Sequence, residues 1–162
     1  MAKLKYKKYL GQNFIHNTAK LNQMSNIICS NKNDIIIEIG AGVGASTQYL
    51  VKKVKKVIAS EIDKEAIDKL NEKFNGINNL EIINCDFLKF DIKEKVKEFK
   101  QKVKVAGNIP YYITGPIIEK IIQEREYIDN AYLTVQKEVA ERIVAREGSK
   151  IFGSLSIFCQ YY

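Results

Sequence analysis

The chain has 162 residues, 46% hydrophobic and 28% charged, which is enough to bury the core of one domain without metal or disulfide support. Three widely spaced cysteines, Cys29, Cys85 and Cys159, form neither a disulfide framework nor a paired metal-binding motif, so we expect reduced thiols, no metal and a cytoplasmic protein. No apolar run approaches a transmembrane helix, and no secretory signal is expected. The net charge of +7 favours nucleic acid as a partner, although a lysine excess also arises from genome base composition.

Apolar runs of strand length alternate with segments of helical period along the chain. Asn17 is predicted to cap a first helix with its apolar face on Leu21, Met24, Ile27 and Ile28. Strands are predicted over 34–39, 57–61, 80–84, 103–108, 131–136 and 155–161. Helical faces are predicted after Asp63 (Ala66, Ile67, Leu70 and Phe74) and behind Pro116 (Ile117, Ile118, Ile121 and Ile122). This alternation predicts an α/β fold, a mostly parallel sheet with helices on both faces, in one domain over residues 1–162.

The first predicted strand runs directly into the turn Gly40-Ala41-Gly42-Val43-Gly44. Glycines allow a ligand to approach the backbone and adopt dihedral angles that other residues avoid. Glu61, at the end of the second strand, can accept hydrogen bonds from two ribose hydroxyls. The pattern indicates a nucleotide or nucleoside site, and it fits both a methyltransferase turn and a dinucleotide fingerprint.

Two later motifs bear on that choice. Asp86 follows the third strand, where its carboxylate can accept from an adenine amine, with Phe87 near the ring. Asn108-Ile109-Pro110-Tyr111 ends the fourth strand. An aromatic amine is a poor nucleophile, and the Asn108 side-chain oxygen with the Ile109 carbonyl would accept its two hydrogens while Pro110 stiffens the turn and Tyr111 stacks on the base.

These residues resemble the rRNA adenine N6-dimethyltransferases, both the KsgA type, acting on small-subunit RNA, and the Erm type, acting on large-subunit RNA. Five blocks in order are similar to the family's motifs. They are residues 11–15 (Gly-Gln-Asn-Phe-Ile), 38–44, 108–111, 135–140 and 153–162. The last two blocks favour the KsgA type, although Ala41 and Tyr112 stand where that type usually has Pro and Asn.

The resemblance implies a Rossmann-like class I methyltransferase fold with S-adenosyl-L-methionine as the methyl donor, and residues 1–16 as a leader that covers the cofactor. The catalytic residues it implies are Asn108, Ile109, Pro110 and Tyr111. The cofactor contacts that we predict are Gln12, Asn13, Ile15, Gly40, Gly42, Glu61, Ile62, Asp86, Phe87 and Asn108. Methyl transfer from a sulfonium needs no metal and no strong base.

The resemblance also implies dimethylation of two adjacent adenosines in small-subunit rRNA, with the immature small ribosomal subunit as partner, no membrane and a monomeric enzyme. A last strand and a helical C-terminal domain of the family are expected to be missing, which would expose a hydrophobic edge, reduce stability and favour self-association. Three alternatives stay open: an Erm-like enzyme, an RNA- and cofactor-binding module without turnover, and an NAD-dependent oxidoreductase.

Overall fold

The computed structural model describes residues 17–162. The predicted cofactor contacts of Gln12, Asn13 and Ile15, and the leader over residues 1–16, lie outside the described residues. Among the described residues, no helix is long and apolar enough to cross a membrane.

The sheet has five parallel strands in the spatial order β3-β2-β1-β4-β5. The strands are β1 (Ile35–Ile39), β2 (Lys56–Glu61), β3 (Leu80–Asn84), β4 (Val103–Asn108) and β5 (Ile128–Thr134). Strand β1 is buried along its whole length, since it lies inside the sheet with helices over both faces. A strand covered on both faces has no solvent-facing side, which explains its continuous apolar run.

Between residues 17 and 162, seven α-helices connect and flank the strands. They are α1 (Thr18–Ile28), α2 (Thr47–Leu50), α3 (Lys64–Lys73), α4 (Ile92–Phe99), α5 (Thr114–Gln123), α6 (Lys137–Ile143) and α7 (Ser154–Tyr161). The two predicted caps form as expected: the Asn17 side chain accepts from the Lys20 amide at 3.0 Å, and the Asp63 side chain accepts from the Glu65 amide at 3.1 Å.

The core lies on both faces of the sheet. On one face, Ile35 and Ile37 of β1 pack in a cluster with Ile92 of α4 and Ile117 of α5. The opposite face is covered by α1, α2 and α3, whose buried residues include Ile28, Leu50 and Leu70, together with Phe74 directly after α3. The predicted α/β architecture with helices on both faces is confirmed.

Three local predictions need correction. Residues 155–161, predicted as a strand, form helix α7, because Ser156 and Gln160 lie one helical turn apart and hydrogen-bond the last carbonyls of α6. The fifth strand begins at Ile128, three residues before the predicted start, and ends at Thr134. Ile27, predicted on the buried face of α1, is 59% exposed.

Candidate active site

A cavity of about 330 Å³ opens at the carboxyl ends of the strands, where the turns after β1 and β4 meet. The chain order reverses at this point of the sheet, which is where open parallel sheets bind their ligands. Eight predicted site residues line this cavity: Gly40, Gly42, Glu61, Ile62, Asp86, Phe87, Asn108 and Pro110. Residues predicted from three separate motifs therefore share one space.

The glycine turn after β1 is built on left-handed backbone angles. Gly40, Gly42 and Gly44 have φ values of 64°, 57° and 78°, a region that side chains with a Cβ avoid. The amides of Gly40 and Ala41 donate to the Ser60 carbonyl at 2.8 and 3.3 Å. A Cβ at Gly44 would lie 2.3 Å from Phe74 Cε2, so this glycine allows α3 to pack against the turn.

Glu61 closes the end of β2 and is only 6% exposed. Its Oε2 accepts from the Gly42 amide at 2.7 Å, and its Oε1 accepts from the amides of Ile62 and Asp63, both at 2.8 Å. Because a carboxylate offers roughly four acceptor positions, three backbone amides leave about one open. The side chain is therefore fixed in the cavity wall, and Ile62, 55% exposed, stands beside it at the rim.

Glu38 is a second carboxylate in the cavity wall, and the sequence reasoning did not name it among the site residues. It is 4% exposed, and its Oε2 accepts from Thr47 Oγ1 at 2.6 Å. Burial raises the pKa of Glu38 from 4.5 to about 7. The hydrogen bond from Thr47 lowers this pKa, the negative charge of Glu61 raises it, and the positive charge of Lys73 lowers it. A single carboxylate inside the apolar run of β1 was the signal available in the sequence.

The turn after β3 brings Asp86 and Phe87 to the cavity. Asp86 Oδ1 accepts from the Leu88 amide at 3.0 Å and so caps a short 3-10 turn over Phe87–Lys89. Phe87 is buried and stacks on Phe90 with ring centroids 6.2 Å apart. Asp86 thus combines the capping role that such an aspartate often has with a place in the cavity wall.

The four residues after β4 separate in the structure. Asn108 and Pro110 line the cavity. The Ile109 side chain is buried in the core, and its amide donates to the Thr134 carbonyl at 2.9 Å. Tyr111 is 65% exposed and lies outside the lining of the cavity, whereas Tyr112, 58% exposed, belongs to it. The motif predicts the stacking role for Tyr111 alone. The sequence does not show which of the neighbouring tyrosines, Tyr111 or Tyr112, lines the cavity.

Almost the whole chain matches a known protein family. The family described as "Ribosomal RNA adenine dimethylase" matches residues 3–162. The chain belongs to this family. Ribosomal RNA small subunit methyltransferase A from Fusobacterium nucleatum subsp. nucleatum is 45% identical over 159 residues, covering 98% of this chain and 59% of that protein. This chain therefore spans about 60% of the length of the curated relatives it matches.

Two solved structures are similar to this chain in fold. A dimethyladenosine transferase from Plasmodium falciparum has a TM-score of 0.78 and 32% identity, over 91% of this chain and 52% of that one. The 23S rRNA methyltransferase ErmE has a TM-score of 0.74 and 26% identity, over 84% of this chain and 53% of that one. The predicted family resemblance and class I methyltransferase fold are confirmed.

The cavity also has walls that the motifs did not indicate. Leu21, Met24 and Ile28 of α1 border it, although their spacing predicts only that they share the apolar face of one helix. Tyr132 of β5 and Cys85, which follows β3, also line the cavity. Within residues 17–162, no three His, Cys, Asp or Glu side chains come together as ligands of a metal ion.

Proposed function

We propose that this chain is the catalytic part of an enzyme that transfers methyl groups from S-adenosylmethionine to the N6 amines of two adjacent adenosines in small-subunit rRNA. One observation carries the proposal: the nucleoside-type residues Gly40, Glu61 and Asp86 line the same cavity as Asn108 and Pro110. A donor site and an acceptor motif within one cavity are what a transferase requires, because the reacting atoms must meet at about 3 Å. The relationship to the small-subunit methyltransferase from Fusobacterium nucleatum supports the choice of RNA.

The donor would be held by groups already placed in the cavity wall. The open acceptor position on Glu61 suits a ribose hydroxyl, and Asp86 suits the exocyclic amine of adenine. Glu38 offers a buried carboxylate beside the glycine turn, which suits the ammonium group of the methionine end. S-Adenosylmethionine supplies a methyl group on a sulfonium, so the chain needs to provide position and dipoles rather than a strong base.

The acceptor would be held at the end of β4. The side-chain oxygen of Asn108 and the main-chain oxygen of Ile109 would accept from the two hydrogens of the adenine amine, which favours the reactive, pyramidal nitrogen. Pro110 keeps the turn short, with its carbonyl accepting from Thr114 Oγ1 at 3.0 Å. Tyr111 is exposed enough to stack on an incoming base. One proton leaves to water for each methyl group transferred.

The partner and the location follow from the same proposal. The net charge of +7 suits the phosphates of an immature small ribosomal subunit, and we propose a monomer acting in the cytoplasm. An Erm-like action on large-subunit RNA is the second candidate, and the lower identity to ErmE, 26% against 45% to the small-subunit relative, favours the first.

Asn108→Ala tests the acceptor role. We expect incorporation of radiolabelled methyl groups into immature small subunits to be lost, because the amine loses its polar acceptor, while S-adenosylhomocysteine still binds with an affinity lowered by about tenfold or less. The exposed Asn130→Ala on neighbouring β5 is the matched control and should keep full activity. Tyr111→Ala should impair RNA turnover more than cofactor binding.

Three outcomes would decide against this proposal. Full activity of Asn108→Ala would remove the assigned role. Cofactor binding by the unaltered chain without any methyl incorporation would favour a binding module. Incorporation into large-subunit RNA alone would favour the Erm-like action.

A further inference from the structure

Lys73, the last residue of α3, reaches the back of the glycine turn from outside the cavity. Its Nζ donates to the Val43 carbonyl at 3.3 Å and to the Gly44 carbonyl at 3.1 Å. The ammonium group also lies 5.1 Å from the centroid of the Phe74 ring. Lys73 does not belong to the cavity lining formed by the described residues.

The carbonyls that Lys73 contacts belong to the turn between the end of β1 and the start of α2. The Gly44 amide donates to the Ala41 carbonyl at 2.9 Å, but the Gly44 carbonyl receives only a long hydrogen bond of 3.4 Å from the Gln48 amide. A charge-assisted donor is stronger than this neutral one. Lys73 therefore joins α3 to the turn at the same place where Phe74 packs against Gly44.

The positive charge of Lys73 also opposes the rise in the pKa of Glu38 that burial causes. The groups that act on Glu38 are the Thr47 hydroxyl of α2, the Glu61 carboxylate of β2 and the Lys73 ammonium of α3. Its cross-strand partners, Ala59 and Ala106, carry no charge. Within residues 17–162, Lys73 is thus the positive charge that favours an ionised Glu38, against burial and the like charge of Glu61.

We propose that Lys73 is a positioning residue for the cofactor: it holds the glycine turn from behind and supplies the positive charge that keeps Glu38 ready to receive an ammonium group. This inference rests on the proposed function for the identity of the ligand. Its electrostatic part concerns the free protein and can be measured without any ligand.

The test compares Lys73→Met, which removes the charge, with Lys73→Arg, which keeps it. Lys69→Met, one turn earlier on α3, removes a charge that makes no hydrogen bond or ion pair within residues 17–162, and serves as the control. Protein labelled with ¹³C at glutamate carboxyls, with the Glu38 signal assigned through Glu38→Gln, reports the titration of Glu38 by NMR. Calorimetry with S-adenosylhomocysteine reports the affinity at each pH.

We expect Lys73→Met to move the titration midpoint of Glu38 to higher pH by about half a unit or more. Near neutral pH it should weaken S-adenosylhomocysteine binding about fivefold to tenfold. Lys73→Arg should restore most of both effects, and Lys69→Met should change neither.

An unchanged Glu38 midpoint in Lys73→Met would overturn the proposal, and so would a shifted midpoint with unchanged affinity. A purely structural role would weaken binding equally at every pH and leave the midpoint in place. If the unaltered chain fails to bind S-adenosylhomocysteine, the proposed function fails, while the NMR titration still decides whether Lys73 governs Glu38.

Discussion

A glycine-to-alanine substitution at Gly44, in the glycine turn, and at Gly76, between α3 and β3, separates the cost of backbone strain from the cost of overpacking. Gly44 has φ +78°, and a Cβ there would lie 2.3 Å from Phe74 Cε2 and 2.9 Å from Leu70 Cδ2. Gly76 has φ +82°, and in the described part of the chain no atom beyond its own neighbours lies within 4 Å of its Cβ position. Gly44→Ala therefore carries two costs, and Gly76→Ala carries one.

The magnitudes follow from these contacts. A left-handed backbone costs a residue with a Cβ about 1–2 kcal/mol, and an added carbon in a filled core costs about 1–3 kcal/mol. We expect Gly76→Ala to lower the free energy of unfolding by about 1–2 kcal/mol and Gly44→Ala by about 2–5 kcal/mol. Both changes restrict the unfolded chain equally, so that contribution cancels in the comparison.

Urea unfolding followed by circular dichroism measures both free energies. Equal losses in the two variants would refute the reasoning, since Phe74 and Leu70 would then accommodate a methyl group without cost. Gly40→Ala adds a functional comparison: φ is +64° and, among residues 17–162 other than its chain neighbours, no atom lies within 4 Å of its Cβ position. It should match Gly76→Ala in stability but weaken S-adenosylhomocysteine binding about tenfold or more, because Gly40 lines the cavity.

Two further variants test single buried groups. Because the pKa of Glu38 is about 7 in the folded chain and 4.5 in the unfolded chain, the free energy of unfolding should fall by about 3 kcal/mol as the pH rises from 4.5 to 7. Urea unfolding at several pH values should show that Glu38→Gln removes this fall. An unchanged pH dependence in Glu38→Gln would contradict the prediction. Ser156, fully buried, donates to the Arg142 carbonyl at 2.5 Å and accepts from the Gly153 amide at 3.2 Å. Ser156→Ala should cost about 1–2 kcal/mol, whereas the exposed Ser154→Ala should cost under about 0.5 kcal/mol by the same measurement.

Four of the five strands could be predicted from sequence to within a residue at each end. Their signal is local, since a run such as Ile35–Ile39 is apolar at every position except Glu38 and is bounded by Asp34 and Gly40. Helix α7 has an equally apolar sequence, and its state depends on contacts with α6 that are distant in sequence. The hydrogen bonds of Ser156 and Gln160 to the end of α6 decide that state, and no local pattern contains them.

The candidate site shows the same division. The glycines, Glu61 and the residues after β4 stand in recognisable motifs, because turns and strand ends impose residue types at fixed spacing. Glu38 belongs to the glycine motif, but in the sequence it is one residue of a predicted strand. Its raised pKa depends on burial, which only the folded chain creates. Lys73 has no motif at all, and its place behind the turn depends on where α3 ends.

The order in which the chain crosses the sheet divides the cavity between two stretches of sequence. Within residues 17–162, the groups proposed for the donor lie between Glu38 and Phe87, apart from Asn108, and those proposed for the acceptor are residues 108–111. Substitutions at residues 109–111 are therefore expected to alter the choice of target nucleotide while most groups proposed to hold the methyl donor stay in place. An engineer could graft a foreign 108–113 loop onto this scaffold on the same grounds.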